Sequence, residues 1–184
     1  MLWGAMVDLV GDERTLVRRH IGDKWILKYP GGSLIRGKVD IGDVQDFHPM
    51  ELEFWHIDAP GECTNLDSRF DALSLLILWS DVEESGGGTA YCPASIDGFL
   101  TLLNKEPEGI NTIDEIWARF AMDPNDIREF TGRPGDVIIT HGFLLHAPTR
   151  NLTGKDRVLE NPAIPVSVPL NYSPSNENPT PVER

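Results

Sequence analysis

Residues 50–60 read MELEFWHIDAP, which combines the alternation of a β-strand with two side chains that can bind a metal. His56 and Asp58 are two positions apart, so a strand places both on one face. Trp55 and Ile57 then lie on the opposite face. Taken as an isolated pair, these two residues are explained better by ordinary structure than by metal binding. His56 would be a half-buried, hydrogen-bonded histidine, and Asp58 would close a turn. A metal site therefore needs support from elsewhere in the chain.

A third ligand on a neighbouring strand would complete the 2-His-1-carboxylate set of non-haem Fe(II) oxygenases, which leaves coordination positions open for substrate and oxygen. The segment GDVIITHGFLLHAPTRN, residues 135–151, offers two histidines. His146 lies within an apolar, strand-like run, whereas His141 lies at the corner before Gly142. On these residues alone, both histidines are candidates for the third ligand.

Arg157 follows His146 by eleven positions, in the segment NLTGKDRVLENP. On the next strand, an arginine can hold a carboxylate through two parallel, charge-assisted hydrogen bonds that a lysine cannot reproduce. The alternative is a surface arginine paired with Asp156 or Glu160. Arg157 is therefore a candidate carboxylate-binding residue.

The remaining sequence predicts a mainly β fold with few helices. Short strands are predicted within the segments 25–32, 72–80, 89–92, 137–141, 144–149 and 163–170, the last at a sheet edge because of its prolines. The segment 72–80 is apolar on both faces, which predicts a central strand. Helices are predicted at 2–10, from a Ser95 cap through Leu103, and from Thr112 to Phe120. This pattern indicates an antiparallel sandwich or barrel with helical insertions.

The chain of 184 residues has the length of one domain, which we expect over residues 1–170. Residues 171–184, NYSPSNENPTPVER, are polar and proline-rich and predict a flexible tail. The longest apolar run, LSLLILW at 73–79, is too short to span a membrane.

The net charge of −13 argues against nucleic-acid and membrane partners, because it repels phosphate backbones and anionic lipids. The two cysteines lack CxxC spacing, which fits a reducing compartment and offers no zinc site. The N-terminus lacks the pattern of a secretory signal. We therefore expect an intracellular, cytoplasmic protein that acts on a small molecule.

Together these residues resemble the phytanoyl-CoA dioxygenase-like family of Fe(II)/2-oxoglutarate oxygenases. The resemblance comprises the His56-x-Asp58 pair, the run LLILWSDVEESGGGTAYCPAS at 75–95, and the Gly-Asp pair that begins the next strand. It continues with a histidine ten residues after Asp136 and an arginine eleven residues later, and it covers about residues 50–165. These intervals select His146 over His141.

The resemblance implies a double-stranded β-helix, or jelly roll, with a few flanking helices. It implies Fe(II) bound by His56, Asp58 and His146, with Arg157 holding the distal carboxylate of 2-oxoglutarate. The implied reaction uses O2, converts 2-oxoglutarate to succinate and CO2, and hydroxylates or desaturates an unactivated C–H bond. Halogenation is disfavoured because related halogenases have Gly or Ala where this chain has Asp58.

The sequence departs from the family pattern in three places. Many members have Ser or Thr two positions after the distal histidine, where this chain has Pro148. The neighbouring Thr149 can take the place of that Ser or Thr only if the local register differs. A second departure is Pro93-Ala94-Ser95-Ile96, which lacks the histidine of the family's Pro-Gly-Ser/Thr-His corner. The N-terminal helical region is also short, for which a truncated gene model or a homodimer would each account.

Two alternatives to this function follow from the residues. A cupin-like metal dioxygenase or isomerase would use the metal ligands without 2-oxoglutarate. A catalytically silent jelly-roll binding module would explain the missing hydroxyl at Pro148. The sequence does not identify the prime substrate, although we expect a small and largely apolar molecule. Trp55, Tyr91 and Phe143 are candidates for its pocket and equally for ordinary core positions.

Overall fold

A computed structural model describes residues 1–17, 24–30, 55–58, 63–67, 72–111 and 122–184. Its helices are α1 (Leu2–Val10) and α2 (Ser95–Lys105), with short 3-10 turns at Glu13–Thr15, Pro124–Asp126 and Pro181–Glu183. Its strands are β1 (Trp25–Lys28), β2 (Leu73–Leu78), β3 (Thr89–Cys92), β4 (Arg128–Phe130), β5 (Val137–His141), β6 (Leu145–Pro148), β7 (Arg157–Glu160) and β8 (Ala163–Ile164). The strands form two antiparallel sheets, which confirms the predicted mainly β, jelly-roll fold.

The larger sheet has the order β1-β7-β2-β5, with β8 also paired to β2. Its β2 strand is the predicted central strand: five of its six residues are buried, and it has partners on both edges. Such an unbroken apolar run suits a strand covered on both faces. The register pairs Lys28 of β1 directly with Arg157 of β7. This pairing brings two cations together from distant parts of the sequence.

The smaller sheet has the order β4-β3-β6. Beyond β6, the chain at His56 continues the pairing through an antiparallel bridge to His146. Of the strand predicted at 50–58, the structure describes residues 55–58, which form a single isolated bridge at His56 and no strand. Residues 50–54 lie outside the described residues. The bridge places the His-x-Asp pair beside the strand that carries the distal histidine.

The α2 helix covers the smaller sheet on the side away from the larger one. Its predicted apolar stripe is confirmed, since Phe99 and Leu103 are buried in one core cluster with Trp55 and Ile57. Ser95, predicted to cap the helix, does not cap it. Its hydroxyl instead accepts a hydrogen bond of 2.8 Å from the backbone N–H of Leu145 in β6, which ties the helix to the sheet. The helix predicted at 112–120 lies outside the described residues.

The C-terminal segment 171–184 packs against the N-terminal helix. Val182 is buried in the same core cluster as Met6 and Val10 of α1, which is the helix predicted at 2–10. Thr180 and Glu183 form a reciprocal capping box that starts the last 3-10 turn. This packing differs from the expected flexible tail, because single apolar residues between prolines anchor the segment without giving it a recognisable period.

The predicted edge strand at 163–170 is shorter than expected. Only Ala163 and Ile164 pair with β2, after which Val166 forms an isolated bridge to Leu16. Prolines remove backbone donors from this segment, so a continuous ladder cannot form. Among the described residues, no helix has the length and apolar character needed to cross a bilayer.

Candidate metal and co-substrate site

The alternation of the WHID segment at 55–58 sets the direction of its four side chains. Trp55 and Ile57 are 3% and 4% exposed and pack into the core under α2. His56 and Asp58 therefore point to the opposite side, as the parity of the sequence predicts. The core contacts of the two apolar residues hold the two polar residues in place.

Three potential metal ligands converge from two neighbouring strands. His56 and His146 exchange backbone hydrogen bonds of 2.8 and 2.9 Å, and their ring centroids are 4.3 Å apart. The two oxygens of Asp58 lie 3.8 Å from Nε2 of His56 and 3.8 Å from Nε2 of His146. All three ligand atoms lie within 4.8 Å of one another. The arrangement is two imidazoles and one carboxylate around a common point.

A hydrogen bond orients the His146 ring for metal binding. Its Nδ1 lies 2.9 Å from the carbonyl oxygen of Leu144, so Nδ1–H donates and the lone pair of Nε2 faces Asp58. Burial, together with the nearby His56, lowers the pKa of His146. Both effects favour the neutral imidazole that a metal requires.

Asp58 is supported by a polar residue from the larger sheet. The hydroxyl of Ser74 in β2 donates a hydrogen bond of 2.7 Å to Oδ2 of Asp58, and it also lies 2.8 Å from Oδ1 of Asn161. A hydroxyl has one proton, and the carboxylate is the stronger acceptor of the two. Ser74 thus fixes one carboxylate oxygen and leaves Oδ1 directed toward His56.

His141, the other histidine considered for the metal site, lies elsewhere. Its Nδ1 accepts a hydrogen bond of 2.9 Å from the backbone N–H of Phe143, and its Nε2 lies 3.2 Å from the carbonyl oxygen of Val182. Burial lowers the pKa of His141 to about 4. This ring serves the packing of the C-terminal segment, and His146 alone joins the His-x-Asp pair.

A cavity of about 300 Å³ opens beside the metal ligands, between the two sheets. The described residues in its wall are Lys24, Ile26, Leu27, Lys28, His56, Leu76, Thr89, His146, Pro148, Arg157, Leu159 and Asn161. This volume lies in the range of small-molecule pockets. The wall therefore contains the two histidines of the candidate metal site, the cations Lys24, Lys28 and Arg157, and several aliphatic side chains.

Arg157 is a buried cation at this cavity, with only 2% of its surface exposed. Its Nε donates to the carbonyl oxygen of Gly87 at 2.5 Å and its Nη1 to that of Ile26 at 3.3 Å. Among the described carboxylates, none forms an ion pair with it. Burial lowers the pKa of Arg157 to about 10, which expresses the cost of a charge without an opposite partner. An anionic ligand would supply that partner.

Lys28 adds a second positive charge next to Arg157. Its Nζ donates a hydrogen bond to the carbonyl oxygen of Thr149. Burial first, and the charge of Arg157 second, lower the pKa of Lys28 to about 8. The cavity thus has two adjacent cations at one end, although the protein as a whole has a net charge of −13.

The structure corrects the prediction for Thr149. The β6 strand turns His146 and Pro148 toward the cavity, so the next residue points away from it. The hydroxyl of Thr149 donates a hydrogen bond of 2.6 Å to Oε1 of Glu129, and Thr149 is not part of the cavity wall. Thr149 therefore does not stand in for the hydroxyl absent at position 148.

Sequence reasoning missed four polar residues of the site, namely Ser74, Thr89, Asn161 and Lys28. One of them carries a local signal: Ser74 interrupts the apolar run LSLLIL of β2, and a polar residue in a buried strand needs a partner. The other three depend on strand register, which residue spacing alone does not reveal.

No protein-family model and no curated protein matches this chain. Among solved structures, the nickel complex of the non-heme monooxygenase ThoJ matches 90% of this chain and 49% of its own, at 14% identity and a TM-score of 0.54. Iron-bound HygX from Streptomyces hygroscopicus matches 97% of this chain and 71% of its own, at 14% identity and a TM-score of 0.51. The chain has the fold of these two proteins.

A further similar structure is SnoK, a non-heme alpha ketoglutarate dependent carbocyclase from nogalamycin biosynthesis. It matches 77% of this chain and 47% of its own, at 18% identity and a TM-score of 0.46. This chain therefore spans about half the length of SnoK and of ThoJ.

Proposed function

We propose that this protein is an Fe(II)- and 2-oxoglutarate-dependent oxygenase that hydroxylates or desaturates an unactivated C–H bond of a small organic molecule. One observation carries the proposal: the two histidines of the His56, Asp58 and His146 cluster line the same cavity as Arg157. Arg157 is a buried cation that forms no ion pair with a described carboxylate. A metal site alone would fit many reactions. The added anion-binding end favours an acidic co-substrate beside the metal.

The three ligands suit Fe(II) by their chemistry. Two neutral imidazoles and one carboxylate form the donor set that non-haem iron oxygenases use, and the set leaves coordination positions open. When bound there, iron supplies the redox chemistry that activates molecular oxygen. Asp58 occupies the position that halogenases leave empty for a halide, which favours hydroxylation or desaturation.

The cationic end of the cavity suits a dicarboxylate such as 2-oxoglutarate. Arg157 provides the fork geometry that matches a carboxylate, and Lys28 provides a second charge beside it. Arg157 is buried and Lys28 is half-buried, so water and salt screen their attraction for an anion less than at an exposed surface. Arg157 and Lys28 would hold the distal carboxylate of such a co-substrate in the cavity that His56 and His146 also line.

The aliphatic part of the wall supports a largely apolar prime substrate. Ile26, Leu76 and Leu159 belong to the wall of the cavity, together with the cations and the two histidines. These side chains offer no hydrogen bonds to a polar substrate. The ligand intervals also support membership of the phytanoyl-CoA dioxygenase-like family.

The test is the formation of succinate from 2-oxoglutarate by the purified protein with Fe(II), ascorbate and oxygen, in a screen of fatty acyl, terpenoid and amino-acid-like compounds. We expect turnover that Asp58→Ala abolishes and that Arg157→Ala reduces through a higher KM for 2-oxoglutarate. The exposed Arg133→Ala is the matched control and should behave like the wild type. Metal-dependent substrate oxidation unaffected by Arg157→Ala would instead indicate a cupin-like enzyme that does not use 2-oxoglutarate.

A silent binding module predicts a different result. Such a protein would bind neither Fe(II) nor 2-oxoglutarate with measurable affinity, and Asp58→Ala would change nothing. Absence of both binding events in the wild-type protein would overturn the proposed function.

A further inference from the structure

A row of side chains crosses the smaller sheet on the face that carries the metal ligands. His56 is bridged to His146, and His146 lies opposite Tyr91 in the β3–β6 ladder. Tyr91 in turn lies opposite Arg128 in the β3–β4 ladder. Residues directly opposite in antiparallel strands project to the same face. Tyr91 and Arg128 are therefore on the same side of the sheet as the two histidines.

This row forms a surface distinct from the cationic cavity. Neighbouring strands lie about 4.8 Å apart, so the backbone of Arg128 is about 10 Å from that of His146, with Tyr91 midway. Neither Tyr91 nor Arg128 belongs to the described wall of the cavity that contains Arg157 and Lys28. The row thus offers a second binding surface that begins at a metal ligand.

Tyr91 provides an aromatic surface beside the metal ligands. Its ring stacks on that of Phe130, with the ring centroids 3.8 Å apart and an angle of 7° between the planes. Phe130 itself lines a narrow space together with Asp58 and His146. Phe130 covers one face of the Tyr91 ring, yet Tyr91 remains partly exposed. The open part of the ring can hold a flat apolar group.

Arg128 places an exposed positive charge at the end of the row. Two other exposed cations, Arg14 and Lys155, form ion pairs with nearby carboxylates. Within the described part of the chain, the side chain of Arg128 has neither an ion pair nor a hydrogen bond. The adjacent Glu129 points to the opposite side, where it accepts a hydrogen bond from Thr149. The planar guanidinium is thus available to bind a carboxylate through two parallel hydrogen bonds.

We propose that Tyr91 and Arg128 form the binding subsite of the prime substrate, and that this substrate is a flat, aromatic carboxylic acid. Its flat part lies on Tyr91 and its carboxylate binds Arg128. A carbon about 10 Å from that carboxylate then lies next to the metal ligands, as the spacing of the strands requires. This inference rests on the proposed function and names the substrate class.

The experiment is isothermal titration calorimetry of the Mn(II)-loaded protein with biphenyl-4-carboxylate and with the series from phenylpropanoate to phenylhexanoate. Each acid is compared with its neutral primary amide. Saturating 2-oxoglutarate is present, so that an acid cannot bind at Arg157 instead. We expect the wild type to bind at least one acid about tenfold more tightly than its amide, the effect of one hydrogen bond to a charged group. The same titrations of metal-free Arg157→Ala test the subsite independently of 2-oxoglutarate.

Two substitutions separate the parts of the subsite. Arg128→Gln should reduce the affinity for the acid to that for the amide and leave amide binding unchanged. Tyr91→Ala should weaken acid and amide alike, by about fivefold, whereas Tyr91→Phe keeps the ring and should bind like the wild type. Tyr91→Leu replaces Tyr91→Ala if that variant does not fold. Arg133→Gln is the matched control, because Arg133 is an exposed arginine in the loop after β4.

The outcomes separate this inference from the proposed function. If the wild-type protein does not bind 2-oxoglutarate, the proposed function fails. If it binds 2-oxoglutarate but binds no acid of the series, or binds acids and amides equally well, the subsite is overturned and the proposed function stands. A preference for the acids that persists in Arg128→Gln would also overturn the subsite, because the carboxylate would then bind elsewhere.

Discussion

At the scale of single residues, the position of the Asp58 carboxylate depends on Ser74. The hydroxyl of Ser74 projects from an otherwise apolar strand and donates to Oδ2 at 2.7 Å. A hydrogen bond of this kind fixes the orientation of a metal ligand before the metal arrives. Ser74 is thus a positioning residue that acts through Asp58.

Ser74→Ala should weaken Fe(II) or Mn(II) binding about tenfold, the usual effect of removing such a hydrogen bond to a ligand. The protein should stay folded, because alanine fits the space of serine in the strand. Metal titration followed by calorimetry measures the effect. Ser80→Ala is the control. Ser80 lies two residues beyond the far end of β2, and its hydroxyl accepts from the N–H of Val158 and donates to the carbonyl oxygen of Asp81. Equal metal affinity in Ser74→Ala and the wild type would contradict the role of Ser74.

Lys28 should give the proposed co-substrate site a dependence on pH. Its pKa of about 8 is lower than that of an ordinary lysine, so it is charged at pH 7 and mostly neutral at pH 9. Affinity for a dicarboxylate should therefore fall as the pH rises through 8, by up to roughly tenfold per pH unit once the lysine is neutral. Lys28→Met should bind more weakly at pH 7 and show a flatter profile between pH 7 and 9. A wild-type profile that is already flat over this range would count against the contribution of Lys28.

At the scale of secondary-structure elements, α2 supports the candidate metal site from the opposite face of the smaller sheet. Phe99 and Leu103 pack in the same cluster as Trp55 and Ile57, the residues that flank His56 in the sequence. The helix therefore acts by fixing the backbone from which His56 and Asp58 project.

Phe99→Ala should destabilise the protein by about 3–5 kcal/mol, as is typical when a buried phenylalanine is removed from a core. Because the resulting cavity lies under the WHID segment, metal affinity should fall as well. Denaturant unfolding and metal titration measure the two effects. Met6→Ala, in the separate cluster around α1, should cost stability but leave metal affinity unchanged in the folded protein. Loss of metal affinity in both variants would contradict a specific effect of α2.

The C-terminal segment introduces a second dependence on pH, this time in stability. His141 has a folded pKa of about 4 and an ordinary value near 6.5, so the unfolded chain binds more protons between these values. Stability should therefore decrease as the pH falls from 6.5 to 4. His141→Gln cannot titrate and should flatten this slope, which unfolding by denaturant at several pH values would reveal. An unchanged slope in the variant would contradict the assignment.

At the scale of the whole molecule, the sequence predicted what depends on local period and on spacing. The parity of the WHID segment predicted which side His56 and Asp58 face, and the apolar run of β2 predicted a central strand. The resemblance to a known oxygenase family, through the interval between Asp136 and His146, selected the histidine that the fold brings to the pair. These features need no knowledge of how distant strands align.

What the sequence did not predict depends on register between distant strands. The pairing of Lys28 with Arg157 joins residues more than a hundred positions apart, and that of Thr89 with Pro148 is likewise non-local. A shift of one residue in either ladder would reverse the faces of these side chains. The alternation of β6 also excluded Thr149, which a count of positions after His146 could not decide.

The charge of the cavity wall is opposite in sign to the net charge of the molecule, as expected for a protein that binds an acidic co-substrate. The net charge is −13, yet the described wall of the cavity contains Lys24, Lys28 and Arg157 and no carboxylate. Three cations beside a metal site in an acidic protein are the arrangement expected for an anionic co-substrate. The acidic exterior instead favours solubility.

The proposed iron site is tested most directly by the anaerobic visible absorption spectrum of the protein with Fe(II) and 2-oxoglutarate. We expect a charge-transfer band that appears only when both are added and that saturates at one iron per chain. The band should be lost in Asp58→Ala and His146→Ala but kept in His141→Gln. Absence of the band in the folded wild-type protein, or its persistence in the Asp58 and His146 variants, would contradict the assignment of the site.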